Sequence, residues 1–479
     1  MLKITSASEK PNAFNSQFKK ERPIWISLII LAFPVALFLL FQHLGSSIDY
    51  YIVGDAAKQN AGILNSVISY MKQIKKVLQS IAVSLAGAGI IFVAREYKQK
   101  NYKKARQYAT LSFIIAVLGS FGIFFIFYLG ACLPSHLGDI FLKRDYHSDG
   151  GFTYYTISLL SFVFITINSV FIGLEKSKNK NTFVLFLNIL NIISKIIFTF
   201  LYKHIHRENI TLIHLAWTDF LSNFIISLIV FYLMFQPKND FRLQFDKLIF
   251  PKDIIKNILK LSGVLVIGKT TYEIGKKFVN DMVTSYYGKE MITIIGFVSV
   301  VNGIIFSISQ SFEDAEIVMV SQRTSQEKNQ KTLKIFKNVF VITLIIGIIG
   351  ILVNTFYGTD LLKFLTKSDN QEQLSFFRQV LFFEQMSLFT SIWASMMMFY
   401  IMSYKKKAYI VFWLNILRII TRMFCIWFFH HVFYSSTIIN NYVKIGLSTC
   451  ISNIIVLLVT IILFLSFIKK QKKIEWDQK

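Results

Sequence analysis

Long apolar segments separated by short polar loops run through almost the whole chain. Segments such as 111–130 and 451–468 stay apolar over about the 20 residues that a hydrocarbon core of about 30 Å requires. Because backbone groups in lipid must be hydrogen-bonded within the protein, such segments predict helices. The pattern predicts an all-α polytopic membrane protein with about twelve transmembrane helices. We place the spans at 24–54, 62–94, 107–134, 153–175, 182–202, 210–236, 257–287, 291–322, 335–358, 378–404, 408–432 and 440–468.

An internal repeat is visible within the predicted spans. The segment 187–195 reads LNILNIISK and the segment 414–422 reads LNILRIITR, and each follows a lysine-rich loop. The fifth and eleventh spans are therefore equivalent helices with the same orientation, which indicates a parallel repeat about an axis along the membrane normal. We predict two pseudo-symmetric six-helix bundles and a polar linker between them. The predicted boundaries are an N-terminal tail at 1–23, bundles at 24–236 and 257–468, a linker at 237–256 and a basic tail at 469–479.

Composition and charge agree with a membrane protein. The 479 residues are 54% hydrophobic and only 16% charged, too few charges for the surface of a soluble protein of this size. The net charge of +25 lies mostly in alternate short loops, and this bias places both termini and the linker in the cytoplasm. We therefore expect a multi-pass protein of a bacterial plasma membrane, in contact with lipids and functional as a monomer. Nucleic acid is not expected as a partner, because no soluble domain presents the basic residues.

Charged residues inside predicted spans indicate function, because each costs several kcal/mol unless it faces a cavity or a partner. Asp49 and Glu273 are the candidates for ion coupling, since a carboxylate in a low-dielectric site can bind a proton or Na⁺. The alternative is a structural ion pair, for example between Glu273 and a lysine one turn away. Pro34, about four turns before Asp49, is a candidate hinge, and a fixed kink is the alternative. Asp281 is expected to be solvated near the outer surface.

Basic and amide side chains define a predicted cavity. Lys195 and Arg422 are repeat-related and lie at matching heights near mid-membrane, which favours one cavity shared by both halves. Lys72, Lys75 and Lys76 share a helical face, where they either line this cavity or extend to the outer headgroups. The candidate cavity residues are Lys72, Lys75, Lys76, Asn188, Asn191, Lys195, Asn415, Arg418 and Arg422. The sequence shows no nucleophile–base set and no metal-ligand spacing, so we expect neither an enzyme nor a metal or cofactor.

Several loose motifs together resemble the multidrug and toxic compound extrusion (MATE) family. They are Pro34 with the segment from Ile48 to Gly54, Gly87–Ala–Gly89 with Ala94–Arg95–Glu96–Tyr97 and Asn101–Tyr102–Lys103–Lys104–Ala105, Gly173–Leu174 with Asn188 and Asn191, Glu273 with Gly288, and Asn415 with Arg418 and Arg422. The resemblance implies a secondary exporter of organic solutes or drugs that works by alternating access and exchanges substrate for H⁺ or Na⁺.

Two departures from the family pattern change what the resemblance implies. Lys195 stands where many relatives have an acid on the fifth helix, and Ser391 stands where another subgroup has an acid on the tenth. Lys195 either replaces a bound cation or attracts an anionic substrate. The alternative function is therefore a flippase for a lipid-linked anionic oligosaccharide or a similar anionic precursor, with the basic residues binding its pyrophosphate.

Overall fold

Twelve long helices make up the part of the chain that the computed structural model describes, which is residues 23–56, 61–134, 136–148, 150–178, 180–206, 211–245, 252–325, 332–366, 371–405, 409–433 and 440–477. Two short helices, His136–Asp139 and Arg144–Tyr146, lie in the connection between the third and fourth long helices. The long helices are α1 Ile24–Ala56, α2 Ala61–Lys98, α3 Tyr102–Cys132, α4 Gly151–Ser177, α5 Asn181–His206, α6 Leu212–Phe235, α7 Lys252–Tyr287, α8 Lys289–Ser325, α9 Thr332–Thr366, α10 Gln371–Lys405, α11 Tyr409–Val432 and α12 Asn441–Asp477.

The all-α membrane fold predicted from the sequence is confirmed, with two shifts at the boundaries. Within the described residues, eleven of the long helices are long and apolar enough to cross a membrane, and α7 is the twelfth. Helix α7 is less apolar than the other eleven because it carries many charged residues. It nevertheless packs along α2 and α11 inside the bundle. It begins at Lys252, within the predicted linker, and α12 continues through most of the predicted basic tail. Residues 1–22 of the predicted N-terminal tail lie outside the described residues.

The two halves repeat each other with a constant offset along the chain. Lys195 and Arg422 are 227 positions apart (422 − 195), and adding 227 to the bounds of α2 gives 288–325, against Lys289–Ser325 for α8. The helix contacts repeat in the same way. Helix α2 packs on α3 and α4 as α8 packs on α9 and α10, and α1 lies beside α5 as α7 lies beside α11. The parallel arrangement of two six-helix bundles follows directly.

The halves meet mainly through α1 and α2 on one side and α7 and α8 on the other. We call the end of the bundle that carries the lysine-rich loops the basic side, and the other end the opposite side. At the opposite side, one continuous apolar core joins both halves, for example where Tyr50 of α1 meets Phe297 of α8 with ring centroids 5.0 Å apart. At the basic side the main cores of the two bundles are distinct, but the halves still touch: Leu28 and Ala32 of α1 belong to the second core, and a small cluster joins α2 and α3 to α7 around Ala88, Leu111 and Ile258.

The first part of the predicted linker belongs to the N-terminal half. Its backbone bonds back to the bundle, with the amide of Leu243 donating to the carbonyl of Met234 and Arg106 donating to the carbonyl of Asp240. Nearby, Lys178 forms a buried ion pair with Glu175 at the end of α4. Burial lowers the pKa of Lys178, and the adjacent carboxylate of Glu175 opposes that shift.

Candidate substrate and ion site

An ion-pair network occupies the interior of the N-terminal half. The ammonium of Lys195 on α5 lies 3.0 Å from Oδ2 of Asp49 on α1 and 2.8 Å from Oδ1 of Asp219 on α6. Lys75 of α2 pairs with the other oxygen of Asp219 and donates to the hydroxyl of Tyr154 on α4. Five helices of one half therefore converge on four charges that compensate one another. Oδ1 of Asp49 is buried and accepts no hydrogen bond in the described residues.

Polar and aromatic groups surround this network. Lys72 lies over the ring of Tyr50, 3.5 Å from its centroid, an arrangement that stabilises a buried cation. Asn191 donates to the amide oxygen of Asn223 at 3.2 Å, and Asn223 donates to the carbonyl of Asp219 at 2.8 Å. Lys72 and Lys75 are thus held inside the bundle rather than extended to the outer headgroups.

The C-terminal half carries a different arrangement at the corresponding depth. Lys276 lies 3.6 Å from Glu273 one turn away on α7, and Gln73 of α2 donates to the carboxylate of Glu273 at 3.0 Å. Arg422 of α11 lies 3.6 Å from Glu384 of α10. Arg418, one turn before Arg422, is buried with its guanidinium 5.9 Å from the ring centroid of Tyr272, and the described residues leave the Nε atoms of both arginines without an acceptor.

The cavity predicted from the sequence would lie between the halves beside this basic group. Helix α2 is packed by helices of both halves, yet one of its faces carries exposed side chains. These are Lys76, Gln79 and Val83, whose spacing puts them on the same side of the helix. Lys76 interacts electrostatically with Lys276 and Glu273 across the interface, so this face points toward α7 and not toward lipid. This charged centre contains Lys76, Lys276, Arg418 and Arg422, with Glu273 paired to Lys276, Glu384 paired to Arg422 and the buried Glu313 near Arg418.

A polar clasp closes the opposite side of this cavity. We define it as Tyr70, Lys143, Tyr146, Lys277 and Asp281. Tyr70 donates to Oδ1 of Asp281 at 2.7 Å, and Lys277 pairs with Oδ2 of the same carboxylate at 2.7 Å. Lys143 donates to the carbonyl of Asp281 at 3.2 Å, and the ring of Tyr146 stacks on that of Tyr70 with centroids 4.0 Å apart.

The position of Asp281 in the clasp corrects one prediction from the sequence. Asp281 is held by groups of both halves instead of being solvated. A second feature of the clasp is that Tyr146 is neutral. The hydroxyl of Tyr146 lies 3.0 Å from that of Thr284, and burial raises the pKa of Tyr146 above its usual range, so this phenol keeps its proton.

The predicted site residues fall into three places. Asp49, Lys72, Lys75, Asn191 and Lys195 lie in or beside the N-terminal network, and Asn188 is half-buried one turn before Asn191. Lys76, Glu273, Arg418 and Arg422 lie at the cavity, with Asn415 half-buried on the same helix as the arginines. Pro34 is exposed within the unbroken helix α1. Their roles in transport stay predictions.

Sequence reasoning missed several acids of the C-terminal half. Glu384 went unnoticed because the tenth span is apolar on average, although it supplies the partner of Arg422. The run Glu313–Asp314–Ala315–Glu316 lies in the last third of an apolar span, and three acids in such a segment are the signal that would have found them. Within the described residues, no group of three or more histidine, cysteine, aspartate or glutamate side chains is arranged to hold a metal ion.

Known proteins with a similar sequence or structure identify the fold. Residues 34–201 match the family model MatE. A solved structure described as the inward-facing conformation of a multidrug resistance MATE family transporter of the MOP superfamily is 12% identical, covers 94% of this chain and 99% of its own, and superposes with a TM-score of 0.75. The chain has the MATE fold. No curated protein matches it.

Two further MATE-fold structures bear on conformation and charge. An outward-facing multidrug resistance MATE family transporter is 14% identical, covers 94% of this chain and 97% of its own, and gives a TM-score of 0.71. A MOP superfamily transporter from Pyrococcus furiosus, whose description states a reverse polarity of the binding pocket, is 14% identical with the same coverage and a TM-score of 0.67. The resemblance inferred from the sequence is thus confirmed, and the MATE fold is known in both inward- and outward-facing forms.

Proposed function

We propose that this chain is an alternating-access exporter whose central cavity binds organic solutes that carry an anionic group. The supporting observation is the charge of the cavity, where four basic side chains face two acids near mid-membrane. A cationic drug would meet like charges in a site of low dielectric constant, which is costly, whereas a carboxylate or phosphate would gain charge-assisted hydrogen bonds. Among the described residues the buried Nε atoms of Arg418 and Arg422 have no acceptor, and a movement that uncovers them would offer them to such a group.

Two features support a transport cycle in which the halves rock against each other. The clasp closes the opposite side while Lys76 stays in contact with solvent, which is the arrangement expected of one end state. Solved MATE-fold structures exist in inward- and outward-facing forms, and the similar transporter from Pyrococcus furiosus is described by a reversed pocket polarity. With the basic side in the cytoplasm, as the lysine-rich loops favour, this conformation would load substrate from inside.

Coupling to an ion gradient would run through Asp49 in this proposal. Its Oδ2 holds Lys195 and its Oδ1 is buried without a partner, so a proton on Asp49 would remove the attraction that fixes Lys195. Lys195 then occupies the place of a bound cation, and Na⁺ would have to displace an ammonium group that two carboxylates hold. A proton is therefore the favoured coupling ion, and Glu273, already paired with Lys276 and Gln73, would tune the cavity instead.

The charge of the cavity can be tested by neutralising it. Lys276→Gln with Arg422→Gln should weaken uptake of an organic anion into proteoliposomes by about tenfold to a hundredfold, the effect of losing one charge-assisted bond of about 1.5–3 kcal/mol. Uptake of a lipophilic cation should be unchanged or should rise. Lys260→Gln, an exposed lysine on the same helix, is the matched control and should leave both rates unaltered. If the paired variant transported the anion as well as the unmodified protein, the anionic preference would be wrong.

The same assay distinguishes two classes of substrate that carry such an anionic group, a soluble solute and a lipid. A soluble aryl carboxylate and a short polyprenyl pyrophosphate present the same chemistry to the cavity, and only the second is a lipid. Transport of the soluble anion across the vesicle membrane supports the exporter, whereas translocation of the lipid alone between leaflets supports a flippase.

A further inference from the structure

One face of α8 carries buried polar oxygens that have no hydrogen-bond partner in the described part of the chain. Ser309, Glu313 and Glu316 are spaced four and three residues apart, which puts them on the same side of the helix. Their exposed fractions are 0%, 1% and 0%. The hydroxyl of Ser309, Oε1 of Glu313 and both carboxyl oxygens of Glu316 have no hydrogen-bond partner among the described residues.

The repeat shows that the fold itself does not require these acids. With the offset of 227 residues, Ser309, Glu313 and Glu316 correspond to Ala82, Ala86 and Gly89 of α2. There the face is small because α3 packs tightly against it: a Cβ at Gly89 would overlap the side chain of Ser112. The second half uses the same helix surface for carboxyl groups, which favours a role beyond helix packing.

In the part of the chain that the structure describes, one nearby cation compensates Glu313 in part and none acts on Glu316. Among the described residues, Asp314 and Arg418 act electrostatically on Glu313, and Glu313 alone acts on Glu316. An ionised carboxylate without a partner costs several kcal/mol inside a protein, so both groups are better accommodated as neutral acids. Asp314 is only half-buried and interacts with Lys176 of α4, which places it at the boundary between the halves.

We infer that Glu313 and Glu316 form a proton-binding site of the C-terminal half, separate from Asp49 and occupied by protons in this conformation. Helix α8 packs against α1 and α2 of the other half as well as against α9 and α10. Loss of a proton would place an unpaired charge on this face and force α8 to repack. Proton release is thereby coupled to rearrangement of the halves; this coupling rests on the proposed transport cycle, whereas proton binding itself does not.

Infrared difference spectroscopy of the protein in nanodiscs tests proton binding directly. A protonated carboxyl band should persist well above the ordinary glutamate range of about pH 4–5, and Glu316→Gln should remove part of it. Glu290→Gln, an exposed acid on the same helix, should not change this band. A spectrum unaltered by Glu316→Gln, or a band lost on adding Na⁺ at constant pH, would overturn the proton site, whatever substrate the protein carries.

Stability and transport give two further readouts of the same variant. Because glutamine resembles the neutral acid, Glu316→Gln should melt at or above the temperature of the unmodified protein at neutral pH, and the difference should vanish in acid. A loss of stability at neutral pH that vanished in acid would instead indicate an ionised glutamate in an ion pair and would contradict the inference. Transport driven by a pH gradient should fall by about fivefold or more, the size of a typical coupling free energy. Unchanged gradient-driven transport would refute the coupling while leaving the anionic preference of the cavity intact.

Discussion

Asp49→Asn is expected to abolish gradient-driven transport and to destabilise the protein. The substitution removes the charge that faces Lys195 at 3.0 Å, where the carboxylate is 1% exposed. Breaking a buried ion pair from one side costs about 3–5 kcal/mol, because the remaining charge stays buried without full compensation. Asp219 limits the loss, since it still holds Lys195 at 2.8 Å. Thermal unfolding in detergent and substrate flux in proteoliposomes measure the two effects separately.

A charge-balanced second variant distinguishes structure from coupling. Asp49→Asn combined with Lys195→Met removes both members of the pair and leaves Asp219 with Lys75, so most of the stability should return. Transport should nevertheless stay uncoupled from the pH gradient. Asp360→Asn, an exposed acid on α9, serves as the control and should behave like the unmodified protein. If Asp49→Asn alone preserved coupled transport, Asp49 would not be the coupling residue.

The membrane fold could be read from the sequence because its signals are local. Runs of apolar residues and the lysine-rich loops predict twelve helices in order, and the repeated segments at 187–195 and 414–422 reveal the two halves. Helix boundaries were least accurate at α9, α10 and α12, where polar and charged residues continue a helix beyond the apolar stretch. Polar residues near the membrane surface do not end a helix, so hydropathy underestimates its length.

The site was less predictable, because it depends on contacts between distant segments. Helical spacing shows that Lys72, Lys75 and Lys76 share a face, but not that Lys75 meets Asp219 while Lys76 faces the cavity. The partner of Lys195 lies 146 positions away in the chain, and no single-sequence pattern joins it to Asp49. The rotation of each helix about its axis decides such pairs, and many packing contacts together set that rotation.

The halves of this protein share their architecture but not their charges. With the offset of 227, Asp49 corresponds to Lys276, and Lys195 corresponds to Arg422. The acid–base pair of the first half thus becomes two bases in the second, and each of these takes its acid from elsewhere, Glu273 and Glu384. These two pairs cancel in charge, so the excess positive charge of the cavity comes from Lys76 and Arg418. In the proposed cycle, proton binding and substrate attraction therefore fall to different positions and can be altered independently.

Asp281→Asn is expected to open the side of the protein that the clasp closes. The carboxylate accepts from Tyr70 of one half and pairs with Lys277 of its own helix, and hydrogen bonds to charged groups contribute about 1.5–3 kcal/mol each. Losing that charge should shift the equilibrium between the two end states by about tenfold or more. Met291→Cys reports the shift, since Met291 is buried in the shared core at this side. The reporter is introduced after replacing the native cysteines Cys132, Cys425 and Cys450.

Labelling with a membrane-impermeant maleimide should be slow at Met291→Cys alone and faster when Asp281→Asn is added. Tyr70→Phe should have an intermediate effect, because Lys277 and Asp281 still pair when only the tyrosine hydroxyl is lost. Glu290→Gln lies at the same side, is exposed, and should leave the labelling rate unchanged. Equal labelling in all four proteins would mean that the apolar core, and not the clasp, holds this side closed. In that case, enlarging Gly296, whose added Cβ would overlap Ser69 and crowd the hydroxyl of Tyr50, should open it instead.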